Sequence, residues 1–125
     1  AHAGDAVRIH VIGANSEQNG MFGVEGHEWP IEPYMPGADM ISVVEYAGSE
    51  VLDVFLRGGA GGPYRQVGDF VWSNARLPYT QSGQWGYLRV LPAGDSRIQP
   101  LGAAGMGAKQ AEVEPAVKAI PTAMK

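Results

Sequence analysis

Nine prolines and eighteen glycines punctuate this chain, and they limit its possible folds more than any other feature. A proline inside a helix removes a hydrogen bond and clashes with the preceding turn, and an interior glycine adds an entropic cost. Between these breakers the apolar residues come in short runs. The sequence therefore predicts an all-β domain of short strands and tight turns.

In residues 6–12, Val7, Ile9 and Val11 alternate with Arg8 and His10, the period-two pattern of a half-buried strand. Turn chemistry flanks it at Gly4-Asp5 and at Gly13-Ala14-Asn15-Ser16. Prolines at 30, 33 and 36 make residues 31–37 a loop. Tyr34 and Met35, together with Trp29, are expected to cover one end of the core there. Residues 39–46 and 50–57 read as two strands joined by Ala47-Gly48-Ser49. The second contains Val51, Leu52, Val54, Phe55 and Leu56, nearly continuous apolar character that predicts a central strand buried on both faces. Residues 69–73 and 85–91 read as two strands joined by a polar turn. After Pro92-Ala93-Gly94-Asp95 the composition turns to Gly, Ala, Pro, Lys and Glu. Such a segment buries too little apolar surface to offset its conformational entropy, so a domain over residues 1–93 is expected to carry an extended or disordered tail over 94–125.

Several chemistries are set aside by composition. A formal charge of -4 and the lack of any basic patch argue against a nucleic-acid partner. The absence of cysteine removes disulfides, thiolate catalysis and cysteine zinc sites. No apolar run approaches the roughly 18 residues of a membrane span. Gly58-Gly59-Ala60-Gly61-Gly62-Pro63 is no phosphate loop, because no Gly-Lys-Ser/Thr follows and Pro63-Tyr64-Arg65 starts no helix. The serines and histidines form no Gly-x-Ser-x-Gly elbow, and Ser73 has no local base.

The segment Asp69-Phe70-Val71-Trp72-Ser73-Asn74-Ala75, followed by Tyr79, Gly83-Gln84-Trp85-Gly86 and Leu88-Arg89-Val90, resembles the carboxy-terminal copper loop of multicopper oxidases, the cupredoxin-fold family of laccases and ceruloplasmin. The family pattern is Gly-Asp-(Phe/Trp)-x-(Tyr/Trp)-His-Cys-His, then His, then Gly-Met-Trp-Gly and a Leu-Arg-Val strand. Laid on it without a gap, Trp72, Gly83, Trp85 and Gly86 match. Ser73, Asn74 and Ala75 stand at His-Cys-His, and Tyr79 and Gln84 stand at the downstream His and Met. A second stretch, from Gly20 to Trp29, is similar to the family's His-Pro-Phe-His-Leu-His-Gly-His-x-(Phe/Trp). It keeps Phe22, Gly26, His27 and Trp29 and replaces the three copper-binding histidines by Gly20, Gly23 and Glu25. Both overlays keep packing residues and lose ligands.

The resemblance implies an antiparallel Greek-key β-sandwich of the cupredoxin type, with Trp85 packed beneath the former copper loop. It implies no copper in this chain, since a blue-copper site needs thiolate, imidazole and thioether donors. The expected role is a structural and interface domain of a multicopper oxidase-like oxidoreductase in the periplasm or secreted. Copper, and oxidation of a metal ion or small reductant by O₂, would belong to companion domains or a companion chain of the same precursor. Because the family has a strand before Gly-Asp-x-Val-Arg-Ile, the resemblance also implies a cleavage or boundary at residue 1, with that strand supplied from elsewhere. Two alternatives stand beside this role. One is a rebuilt metal or enzymatic site around Glu25, His27 and His10, with Glu28 as a further donor. On a strand, however, residues 25 and 27 face one way and 28 the other. The second is an interaction module using Trp29, Tyr34 and Met35.

Overall fold

In chain order the described residues form β1 (Arg8–Ile12), β2 (Gly20–Val24), β3 (Trp29–Pro30), β4 (Met40–Ile41), β5 (Val43–Tyr46), β6 (Val51–Phe55), β7 (Gly68–Asn74), α1 (Leu77–Gln81) and β8 (Trp85–Val90). This computed structural model describes residues 1–14 and 18–98. Ala1–Asp95 form one compact unit. The expected tail lies outside the described residues from residue 99 on, as do Asn15 and Ser16 of the predicted turn.

Every strand pairing is antiparallel. One sheet has the order β5-β2-β7-β8, a second consists of β1 and β6, and β3 with β4 makes a short third pair. The alternation in the sequence sets which faces meet. Val11 of β1 and Val54 of β6 face Phe22 and Val24 of β2, joined by Trp29 and Leu56. Val54 and Trp29 are almost fully enclosed, at 1% and 2% exposure. Burying side chains of this size stabilises the fold by about 1.5–3 kcal/mol each, so the two-layer contact holds the unit together. Residues 1–3 run parallel to the end of β8, with Ala3 N–H donating to Leu91 O at 2.8 Å and Leu91 N–H to Ala1 O at 2.9 Å.

The all-β expectation agrees with this architecture, but four local expectations are corrected. β6 is not central: among the described residues it pairs with β1 alone, and Val51 is 64% exposed. Its apolar run has one side toward the core, while Val51, Asp53 and Phe55 occupy the other side. Residues 39–46 do not form one strand but divide at Ser42, so that Ile41 pairs with Trp29 and Val43 pairs with Gly23. The link between β7 and β8 contains the single-turn helix α1, where Pro78 presets the backbone at the start. Of the three residues expected to cover one end of the core, only Trp29 is buried; Tyr34 and Met35 are exposed.

Candidate functional site

The β2–β7 register places the substituted positions in two groups. Phe22 pairs with Asn74 and Gly23 with Ser73. Since side chains alternate across a strand, Gly20 and Asn74 face the interior of the sandwich, and Gly23 and Ser73 face outward. Gly20, Asn74, Tyr79 and Gln84 line one cavity of about 250 Å³, together with Ile12, Ala14 and Tyr46. Gly23, Glu25, Ser73 and Ala75 line another of about 240 Å³ on the outer side, with Ser42 and Val43.

Asn74 organises the inner cavity. It is 5% exposed, and its amide uses its full hydrogen-bonding capacity. The Oδ1 atom accepts from Met21 N–H and Arg76 N–H, both at 3.1 Å. The Nδ2 group donates to Gln84 Oε1 at 3.0 Å and to Tyr46 Oη at 3.4 Å. Its backbone is held as well: Asn74 N–H donates to Gln84 O at 2.9 Å, and Thr80 Oγ1 donates to Asn74 O. One side chain thus ties together β2, β5, the start of the α1 segment and the approach to β8. Arg76 fixes the rim by donating to Asn19 O and Gln18 Oε1, both at 2.6 Å, and lies over the Tyr79 ring at 5.4 Å.

Tyr46 is the member of this site that the sequence did not reveal. It pairs with Gly20 in the β2–β5 register, and its ring fills the space above that glycine: a Cβ at residue 20 would lie 2.2 Å from the ring. The glycine and the tyrosine form a small–large pair, legible only once the register is known. Similarly, a Cβ at Gly86 would lie 2.7 Å from the Trp72 ring. Trp85, expected beneath this loop, is instead 47% exposed and stacks edge-on against Tyr87 at 5.7 Å; β8 turns it to the outer face.

The donors in the inner cavity are amide and phenol groups, which do not match the thiolate and imidazole set that holds a blue copper. His27 lies in the buried turn after β2. Gly61 N–H donates to its Nε2 at 3.0 Å, so the ring hydrogen is on Nδ1, which donates to Glu25 O at 2.8 Å. The lone pair a metal would need is already used, and the ring packs edge-on against Phe70 at 4.7 Å. The glycine-rich run is the loop that reaches this ring. Gly61 takes φ +80°, and a Cβ there would lie 2.3 Å from Gln66 O, which leaves glycine as the residue that fits. Glu28 turns away to pair with Arg57.

His10 sits apart, on the outer face of β1. Its Nδ1 lies 2.6 Å from Asp53 Oδ1, and Arg8 donates from Nε at 3.2 Å and from Nη2 at 2.7 Å to the same carboxylate. The bond from Arg8 holds Asp53 below the usual carboxylate range despite partial desolvation. Across β7 and β8, Arg89 does the same for Asp69 through two 2.7 Å bonds. Among the described residues no three His, Cys, Asp or Glu side chains gather as a metal site, and no helix is long and apolar enough to cross a membrane. No protein-family model matches the chain, and no curated protein matches it.

Proposed function

We propose that this chain is a copper-free Greek-key domain of the cupredoxin type from a multicopper oxidase-like protein, exported to the periplasm or secreted, with a structural and interface role. One observation carries the reading. Eight positions selected from a linear motif overlay fall into two sets of four, each set lining its own cavity on opposite sides of the β2–β7 pair. An overlay unrelated to the fold has no reason to sort them by face.

In this role Asn74 does by hydrogen bonding what a bound ion does by coordination, holding the two loops of the site against β2. The outward face supplies the interface. Val43, Gly23, Ser73 and Trp85 lie in one cross-strand row, and exposed Met21 and Tyr87 flank it. Small residues in the middle of an apolar rim leave a shallow recess into which a companion domain can pack. Oxidation of a metal ion or small reductant by O₂ would then take place at copper sites in companion domains. The test is elemental analysis of the purified chain. No stoichiometric metal is expected; a stoichiometric metal that disappears on His27→Ala would overturn the reading and favour a rebuilt site at Glu25 and His27.

A further inference from the structure

The inner cavity and the groove beside it carry an inference that does not rest on the copper overlay. The groove, of about 440 Å³, lies between the two sheets. Its walls are apolar: Ile9 and Val11 come from β1, Phe22 and Val24 from β2, Trp72 from β7 and Leu88 from β8. Ile12 and Tyr46 line this groove and also the cavity of about 250 Å³ bordered by Asn74 and Gln84. The two spaces adjoin at these side chains, and together they fall within the roughly 300–1,000 Å³ of small-molecule sites.

Hydrogen bonding fixes what the smaller space presents. The backbone N–H groups of Met21 and Arg76 occupy Asn74 Oδ1, which orients the amide and commits Nδ2 as the donor to both Gln84 Oε1 and Tyr46 Oη. Gln84 therefore turns its own NH₂ away from Asn74, and the Tyr46 hydroxyl aims its hydrogen elsewhere. Among the described residues neither donor meets an acceptor. Tyr79 adds a second hydroxyl, whose bond to Gln18 O is stretched to 3.5 Å. No Asp or Glu lines either space. Arg76, over the Tyr79 ring, bonds to the neutral oxygens of Asn19 and Gln18 and, among the described residues, to no carboxylate. Neutral donors beside an unbalanced cation complement an anionic acceptor.

We infer that the two spaces form one site for an amphiphilic monocarboxylate, a medium-chain alkanoate. Its carboxylate accepts from Tyr46 Oη and Gln84 Nε2 in the smaller space, and its alkyl chain passes Ile12 and Tyr46 to lie along Val11, Trp72 and Leu88. The pairing of the two linings selects this occupant. A purely apolar molecule leaves the donors unused, an inorganic anion leaves the groove unfilled, and a dicarboxylate carries a second charge into apolar walls at a large desolvation cost. The site owes its form to Gly20, because only the missing side chain there lets the Tyr46 ring lie across β2 and bring its hydroxyl to Asn74.

The experiment titrates the full chain with sodium octanoate, kept below its micellar range, and follows backbone and side-chain amide shifts by NMR. Binding is expected to saturate at one per chain, with shifts at Ile12, Tyr46, Gln84 and Leu88 and none at Ser73 or Trp85 on the outer face. Octylammonium, with the same tail and the opposite charge, should not bind in that range. From hexanoate to decanoate the affinity should rise about four-fold per methylene buried. Tyr46→Phe keeps the ring and removes one donor, so octanoate should bind about ten-fold more weakly. Asn74→Asp draws both donors onto a new carboxylate and should abolish binding. Absence of saturable binding, equal binding of octylammonium, an affinity indifferent to chain length or to Tyr46→Phe, or shifts confined to the outer face would overturn the proposal. So would octanoate binding that appears only on dilution, which would indicate a second copy in the groove, or only on deletion of residues 99–125, which would indicate the chain's own tail.

Discussion

Replacing Asn74 by alanine deletes four hydrogen bonds at once, and the structure allows the cost to be worked out. The bonds from Met21 N–H at 3.1 Å and to Gln84 Oε1 at 3.0 Å join two strand ends. The bond to Tyr46 is long at 3.4 Å, and Arg76 N–H, at the start of a surface turn, can bond to water instead. Counting about 0.5–1.5 kcal/mol for each bond made, with a further penalty for a part-buried donor left without an acceptor, gives a loss of about 2–3 kcal/mol. For a unit of this size that lowers Tm by roughly 10–20 °C. Urea unfolding followed by tryptophan fluorescence is the assay, with the midpoint falling and the slope unchanged. Asn74→Asp keeps both acceptor roles, and Tyr46 and Gln84 can each turn to donate, so it should lose less than half as much. A loss below about 0.5 kcal/mol in the alanine variant, no more than an ordinary surface change, would refute Asn74 as the organiser of the site.

Other expectations follow from the same contacts. Trp29→Ala should cost about 3–5 kcal/mol as a core truncation, whereas the exposed Trp85, supported by one ring contact, should lose about 1 kcal/mol or less; equal losses in urea titrations would contradict the assignment of faces. Gly20→Ala should cost about 1–3 kcal/mol by overpacking against Tyr46 and almost nothing further in a Tyr46→Ala background, so a double-mutant cycle showing no coupling would contradict that pairing. The folded value of Asp53 is depressed, so its contribution to stability is complete above the ordinary carboxylate value of about 3.9 and is lost as pH falls through the lower folded value. Acid titration should show this loss in the natural chain and less of it in Asp53→Asn.

The strand at residues 6–12 was legible because period-two alternation is a local property, and Val7, Ile9 and Val11 do line one face. The second strand at 50–57 was legible as a strand but not as an edge: apolar content reports propensity, and the sheet order is what shows that, among the described residues, no strand pairs on the far side of β6. Trp85 illustrates the same limit, because a one-residue shift in register exchanges the faces of a strand. At the site, the overlay selected Gly20, Asn74, Tyr79 and Gln84, which the structure places around one cavity. Tyr46 escaped notice because its role depends on lying opposite Gly20, a relation between residues 26 positions apart in sequence. The overlay picked out His27 as a retained residue but not the turn that holds it, and its partner Gly61 was hidden in a glycine run of a kind common in loops.

Copper titration of two proteins, followed by visible absorption, tests the central claim that the inner cavity keeps a copper-site geometry after losing its ligands. The first is the natural chain; the second carries Gly20→His, Asn74→Cys, Tyr79→His and Gln84→Met, with Tyr46→Gly to make room above residue 20. The natural chain should stay colourless, and the variant should gain an intense thiolate-to-copper band that saturates stoichiometrically. A folded variant that gives no such band, or a natural chain that takes up stoichiometric copper released by substitution of Tyr79 or Gln84, would contradict the account.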